Sequence, residues 1–355
     1  MNKAKVFPIV QSLLAALLFG ASAPLAKILL GQIDPIPLAA FLYLGSGTGL
    51  LIYQIVLNLI SKDKKSEAPL SKKELPWLLG AITFGGVIAP IILMTSLKVT
   101  PASTAALLLN FEGVATTVIA LFFFKESIGK RVWIAVICIT IASIALSWDF
   151  SNQWGFSLGA LGVVGACVCW GIDNNFTRNI SAKNPYTIVI LKGFGASLFS
   201  LLLTFLLKYH IPQLKVVLMA MILGCFSYGL SIVLFVFAMR NLGSARTSAF
   251  FGTAPFIGVI LAFLFNHDIP NAMFYVALPV MILGTFFLLK EDHNHKHTHE
   301  HILHEHRHCH NDEHHNHIHL PGEVPESGYH SHAHEHEELK HEHPHAPDIH
   351  HRHTH

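Results

Sequence analysis

Ten stretches of this chain run through a membrane's thickness of residues with one charge at most. Uncharged runs cover 6–26, 35–61, 75–97, 132–148, 216–239, 247–267 and 269–289. Three more, 99–124, 150–177 and 184–207, are each interrupted by a single charge: Glu112, Asp173 and Lys192. A helix crosses the hydrocarbon core with about 20 mostly apolar residues. The pattern therefore predicts an all-α integral membrane protein of ten transmembrane helices. The breaks between runs are short and rich in Gly, Pro and Asn, which leaves no room for a soluble domain before residue 291. Charged residues make up 13% of the chain, against the roughly 25% of a soluble domain.

Composition changes abruptly near Lys290. Only His210 and His267 precede it, whereas 24 histidines follow in a polar tail spanning 291–355. The first run follows "MNKAK" and has no clear small-x-small cleavage site, so it reads as a retained span. Lys and Arg of the short loops set orientation. With ten spans, fourteen fall on the side of the N-terminus and four on the other, which places both termini and the tail in the cytoplasm. Cys138, Cys167, Cys169 and Cys225 lie within spans and Cys309 stands alone in the tail, which argues against a disulfide framework. Cys167 and Cys169 read as small packing residues.

The body reads as two halves, 1–148 and 149–290. "KVTPASTAALLLNFEGVATTVIALFFFKES" (98–127) aligns without gaps to "RNLGSARTSAFFGTAPFIGVILAFLFNHDI" (240–269), matching Lys98 with Arg240, Ala120 with Ala262 and Glu126 with Asp268. A weaker echo pairs "FGASAPLAK" (19–27) with "WGIDNNFTR" (170–178). Five spans per half is an odd number, so the second half enters the membrane upside down relative to the first. Inverted five-helix repeats are a mark of secondary transporters that hold substrate near the midplane.

This pattern resembles the EamA family of the drug/metabolite transporter superfamily, over roughly residues 8–290. "LLLNFEGVATTVIA", "CWGIDNNFTR" and the His-rich tail together are similar to a bacterial EamA subgroup carrying such tails. The resemblance implies ten helices, a bacterial-type inner (plasma) membrane and carrier-type transport of small metabolites or drugs, often export. A homodimer is compatible with it. The family often has a proline in the fourth helix; Pro255 keeps one in the second half, while the first half has Gly113 beside Glu112.

The intramembrane polar residues are the candidate site. A charge at the depth of Glu112 costs about 2.5–3.5 kcal/mol on insertion scales, so it should face the bundle interior or a watery cavity. Thr116 lies one turn on, on the same face, and Asn110 two residues before. Glu112 reads either as a proton or cation coupling site, or contact for a cationic substrate group, or as a structural acid satisfied by a neighbouring helix. Asp173 and Lys192 stand at equal distance from the "SAKNP" turn, which suits an ion pair between adjacent helices with Asn174 and Asn175 nearby. Such a pair serves a cavity-lining network or a structural clasp equally well. Lys27, Lys98, Arg178 and Arg240 sit at span ends, where snorkelling accounts for them. The small residues Gly45, Gly47, Gly193 and Gly195 suit close helix packing. No phosphate-cradling loop, catalytic constellation or basic patch is present, which excludes ATP-driven transport, enzymatic chemistry and nucleic-acid binding as leading readings.

In the tail, "HEHRHCHNDEHHNHIH" (304–319) supplies His304, His306, His308, Cys309, His310, His314, His315, His317 and His319 as candidate metal ligands. Imidazole and thiol suit Zn, Ni, Cu and Co. No cofactor is required by the body, and Zn or Ni bound by the tail is the expected metal. The tract is too polar to fold alone and is expected to be disordered. It could buffer metal, sense it and gate the carrier, respond to pH near 6.5, or be a solvated tail. The main alternative functions are a transition-metal (Zn/Ni/Co) carrier fed by its tail and a membrane-bound metal sensor or buffer.

Overall fold

A computed structural model describes residues 3–60, 69–124, 129–148, 156–180, 183–242, 247, 250–289, 296–298, 302–309, 329–336 and 340–342. Its helices are α1 (Phe7–Leu29), α2 (Pro35–Ile60), α3 (Leu75–Val99), α4 (Ala102–Phe123), α5 (Lys130–Ser147), α7 (Pro185–Leu206) and α8 (Leu214–Ala238), all long and apolar enough to cross a membrane. Between and after them lie α6 (Leu158–Arg178), α9 (Ala254–Asn266) and α10 (Ala272–Leu289). Helix α6 is long enough but less apolar, because its last turns carry Asp173, Asn174, Asn175 and Arg178.

The helices pack in a pattern that survives exchange of the first five for the last five. Helix α2 lies against α7, and α5 against α10. Helix α1 touches α8 and α9, just as α6 touches α3 and α4, while α4 meets α9. Close approach is bought by glycine at the tightest crossing, between α2 and α8. A Cβ on Gly45 would collide with the Met221 backbone, and one on Gly224 with the Leu42 carbonyl. The core is built largely from small and branched side chains such as Ala23, Ala26, Ala105, Leu38, Leu42 and Leu93. Large apolar side chains cover the outside, with Leu59 81% and Phe123 80% exposed, as a lipid-facing girdle requires.

Several helices are irregular, and the irregularities have local causes. Helix α1 has a turn at Ala21, and α4 breaks at Leu109–Asn110. At the second break the Asn110 amide donates to Leu107 O at 3.2 Å and the Glu112 amide to Leu109 O at 3.1 Å, both one residue short of α-helical reach. The Asn110 side chain reinforces the turn by donating to Leu107 O at 3.0 Å, the local competition that asparagine brings into helices. Helix α3 widens into a π-segment over Ile82–Ile88, and α8 does the same over Cys225–Leu230.

One end of the bundle is tied by polar contacts. Lys27, at the C-terminal end of α1, donates to the carbonyls of Leu97, Lys98 and Thr100 at 2.6, 3.1 and 3.0 Å. It caps α3, so the snorkelling expected of this side chain is replaced by satisfaction of orphan carbonyls. Lys98 pairs with Asp34 at 3.2 Å. Asp268 accepts from the Ser103 amide at 2.8 Å, linking the end of α9 to the start of α4. Arg240 has its side chain outside the described residues.

The tail was expected to lack regular structure. Within it, however, β1 (Lys296–Thr298) pairs antiparallel with β4 (Lys340–Glu342), and β2 (Ile302–Cys309) with β3 (Tyr329–His336). The alternating H-x-H sequence has the two-residue period of a strand, which is the physical reason a polar tract can pair this way.

Candidate functional site

The polar residues of the body converge where α6 crosses α4 and meets Lys192 of α7. The Asn174 amide nitrogen donates to Glu112 Oε1 at 2.9 Å and lies 3.1 Å from Thr116 Oγ1. Thr116 in turn donates to the Glu112 carbonyl at 2.8 Å, the one-turn relation their spacing gives. Asn175 donates to the Thr116 carbonyl at 3.1 Å and to Gly171 O at 2.8 Å, which pins α6 to α4. The crossing is tight because Gly171 faces Ala115: an added Cβ would come within 2.8 Å of that side chain.

One residue from Asn174, the Asp173 carboxylate forms an ion pair with the Lys192 ammonium of α7, both side chains nearly sealed from solvent. Thr177 donates to the other Asp173 oxygen at 3.0 Å. Asp173 is held against α3, where Gly85 leaves room for its carboxylate. The two networks differ in access. Asp173 and Asn175 are buried, whereas Glu112 is half-buried and Asn174 exposed. Counted in their ordinary charge states, the cluster has two carboxylates and one ammonium. A buried excess of negative charge is costly unless a cation or proton balances it.

Sequence reasoning did not reveal the Gly85 carbonyl. In the π-segment of α3 the Ala89 amide donates to Phe84 O. The next donor in that ladder would serve Gly85, but residue 90 is proline and has no N–H. Gly85 O instead accepts from the Tyr43 hydroxyl at 2.7 Å and the Trp170 indole at 3.1 Å. Around it the rings of Phe19 and Trp170 meet edge-on at 6.5 Å and those of Phe19 and Tyr228 at 6.3 Å, while Tyr43 and Tyr228 are tilted against each other at 5.5 Å. The bundle centre is therefore an aromatic layer drawn from α1, α2, α6 and α8, beside the charged cluster. Proline five residues after a glycine was the available signal, and it has meaning only once the helix is known to be π.

Asn110 stands apart from the cluster. Its side-chain oxygen accepts from Thr285 of α10 at 3.2 Å, and its amide closes the α4 break. Among the tail residues, His304, His306, His308 and Cys309 lie on β2, while His310, His314, His315, His317 and His319 fall outside the described residues. In the helical body Cys138, Cys167, Cys169 and Cys225 are free thiols. Among the described residues no group of three or more His, Cys, Asp or Glu gathers as a metal-ligand set.

Long apolar helices with a lipid-facing exterior and a polar interior cluster define a multi-pass membrane protein. The EamA-like transporter family model matches it twice, over residues 6–148 and 157–290, and the chain belongs to that family. An uncharacterized transporter of Methanothermobacter thermautotrophicus is 27% identical over 288 residues, covering 77% of this chain and 83% of that protein. A protein of known crystal structure, 16% identical, superposes with a TM-score of 0.55 over 78% of this chain and 95% of its own, a likeness that speaks for the fold alone. The protein is a membrane transporter, and a lipid environment and a small-molecule substrate fit it.

Proposed function

We propose that the protein is a secondary-active carrier of small organic metabolites or drugs, working by alternating access and exporting them across a bacterial-type inner membrane. The observation that carries this reading is the cluster joining Glu112 and Thr116 of α4 to Asn174 of α6, beside the Asp173–Lys192 pair. It brings one helix from each proposed half together around an unbalanced carboxylate whose partner Asn174 is exposed. Two matches of one family model in tandem, and helix contacts that exchange between halves, support ten crossings arranged as inverted five-helix repeats. The Lys/Arg distribution supports cytoplasmic termini.

In this reading Glu112 takes a proton, or the cationic group of a substrate, and Asn174 holds its carboxylate in position. Asp173 and Lys192 keep α6, α3 and α7 together. The tail binds Zn or Ni and adjusts the carrier. The competing reading, a Zn, Ni or Co carrier fed by its tail, draws on the histidines alone. Proteoliposomes under an imposed proton gradient test the first reading. Glu112→Gln should abolish gradient-driven flux while the protein remains monodisperse; full flux with an unchanged pH profile would remove Glu112 from coupling. A metabolite and metal profile of cells with and without the protein separates the two substrate classes.

A further inference from the structure

Most helices of the body fall into two groups. In one, α6 packs on α3 and α4, and α3 on α7; in the other, α1 packs on α8 and α9, and α2 on α8. The groups meet along α2–α7 and α4–α9. At the end of the bundle where α1 finishes, three polar ties cross from one group to the other. The Lys27 ammonium of α1 donates to the Leu97, Lys98 and Thr100 carbonyls at the end of α3, at 2.6, 3.1 and 3.0 Å. Asp268, just past α9, accepts from the Ser103 amide of α4 at 2.8 Å. Asp34, just before α2, pairs with Lys98 of α3 at 3.2 Å. The ties at the opposite end are of another kind. There the Glu74–Lys183 pair stays within the first group, and the Ser12 hydroxyl, donating to the Thr247 carbonyl at 3.0 Å, stays within the second. Beside the crossing ties, Ser103 Oγ of α4 and Asn266 Oδ1 of α9 are buried with no hydrogen-bond partner among the described residues. Exposed Asn174 lies in the half of α6 away from this seam, because Gly159 at the start of α6 is the residue that faces Thr100.

We propose that the Lys27 end is a gate of the carrier, shut in this structure, and that Lys27 and Asp268 are the latch that holds it shut. This rests on the alternating-access reading and adds to it the place where the path closes. Two groups that rock against each other separate at one end while they meet at the other. Ties crossing between the groups where α1 finishes hold that end together. Glu112, with Asn174 as its exposed partner, is then reached from the end where α1 begins. The chemistry of the seam suits a contact that must break repeatedly. An ammonium has three donors, and Lys27 sets them on three carbonyls at the end of α3, where a helix leaves carbonyls without partners of its own. The arrangement is complete only when α1 and α3 meet. Water entering the seam would hydrate the ammonium, those carbonyls, Ser103 Oγ and Asn266 Oδ1, so the seam loses less on opening than an apolar contact of the same size.

The test reads both ends of the full-length protein in detergent, well below its melting temperature. Ser103→Cys replaces a buried hydroxyl with a thiol and keeps the backbone amide that Asp268 holds. Asn174→Cys marks the opposite half. Labelling by a water-soluble maleimide is followed at each position by peptide mass spectrometry, which separates it from the native cysteines. Lys27→Met and Asp268→Ala should each raise the labelling rate at 103 by at least about 10-fold, the effect of losing one hydrogen bond to a charged group. Lys27→Gln serves where Lys27→Met does not fold. Both ties removed together should lower the rate at 174, because the groups cannot stand apart at both ends. A seam that only supports the fold would loosen both positions together. Unchanged labelling at 103, or a rate at 174 that holds or rises as 103 opens, would overturn the proposal. Flux is read separately in proteoliposomes: opposed changes without flux would retire the carrier reading alone, and flux without opposed changes the latch alone.

Discussion

Replacing Asp173 with Asn strands the Lys192 ammonium between α6 and α7, where its side chain is 11% exposed against 5% for its partner. The nearest relief, hydration, is closed off by α3 and α7. Leaving one charge of a buried pair uncompensated typically costs about 3–5 kcal/mol. Lys192→Met should cost a similar amount, because Asp173 then keeps the Thr177 hydroxyl and the backbone packing around Gly85 in place of an ammonium. The double change Asp173→Asn, Lys192→Met removes both desolvation penalties together with the attraction, so it should cost about 0–2 kcal/mol. The coupling between the two sites then comes to at least roughly 4 kcal/mol, well above the few tenths seen for independent positions. For a body of this size each kcal/mol moves the melting temperature by about 2–4 °C. Each single variant should thus melt roughly 6–20 °C lower in detergent, with most of the loss recovered in the double variant. Size-exclusion survival after a heating series measures this directly. Losses that add would refute the pairing as an energetic unit.

Lys27→Met removes three hydrogen bonds to the α3 carbonyls and should destabilise the protein by on the order of 2 kcal/mol, read as a lower melting temperature. Gly224→Leu forces a side chain into the Leu42 backbone, so it should cost about 3 kcal/mol, the upper end of overpacking, and reduce the monodisperse yield. At the start of α3, burial pushes the Glu74 carboxyl up, but hydrogen bonds from Ser71 and the Lys183 ammonium outweigh it and hold it below the usual range. Its contribution is full above the unfolded carboxyl value and is lost as pH falls through the lower folded one, so Glu74→Gln should flatten the acid limb of a stability–pH profile. Removal of 293–355 should abolish most Zn and Ni binding and leave transport of the organic substrate intact but deaf to metal; metal flux that falls with the tail would favour the metal-carrier reading.

Charge punctuation made the helical body legible, because placing a charge in hydrocarbon is costly enough to leave gaps in the sequence. Two relations within the cluster were also legible. Equal distances from the "SAKNP" turn bring Asp173 and Lys192 to the same depth, and four-residue spacing puts Thr116 over Glu112. What bridges the two networks was not. Asn174 reaches Glu112 only because α6 crosses α4 at Gly171 and Ala115, a tertiary fact with no local signature. Asn110 looked like a member of the cluster by sequence proximity, yet the break beside it turns its side chain to Thr285. Lys27 looked like a snorkelling residue because helix-end lysines have water within reach; here three carbonyls are nearer. The tail's pairing escaped composition-based reasoning for a related reason, since composition reports the lack of a core and says nothing of register.

The backbone irregularities and the chemistry distribute differently over the two halves. The ungapped alignment of 98–127 with 240–269, extended backwards, lays the π-segment Ile82–Ile88 over Cys225–Leu230 to within a residue. The same alignment puts the α4 break at Leu109–Asn110 beside the turn at 252–253 that precedes α9. The geometry is thus matched, but the side chains are not. Glu112 corresponds to Ala254, and in the weaker echo Asp173, Asn174 and Asn175 correspond to Ser22, Ala23 and Pro24. Pro90, which frees the Gly85 carbonyl for Tyr43 and Trp170, corresponds to Ile232, whose N–H remains available to its own helix. π-Segments and broken helices are the places where a membrane helix can change its hydrogen-bond partners with little loss. A carrier that rocks about matched weak points needs both copies of them, whereas recognition needs the polar set only once. On the alternating-access reading, the cleft of α3, α4, α6 and α7 holds the ligand or proton, and the cleft of α1, α2, α8 and α9 supplies the matching hinge. Introducing a carboxylate in the second cleft, as in Ala254→Glu, should therefore cost stability and leave the pH profile of transport unchanged. A new titration in that profile would mean that both clefts bind.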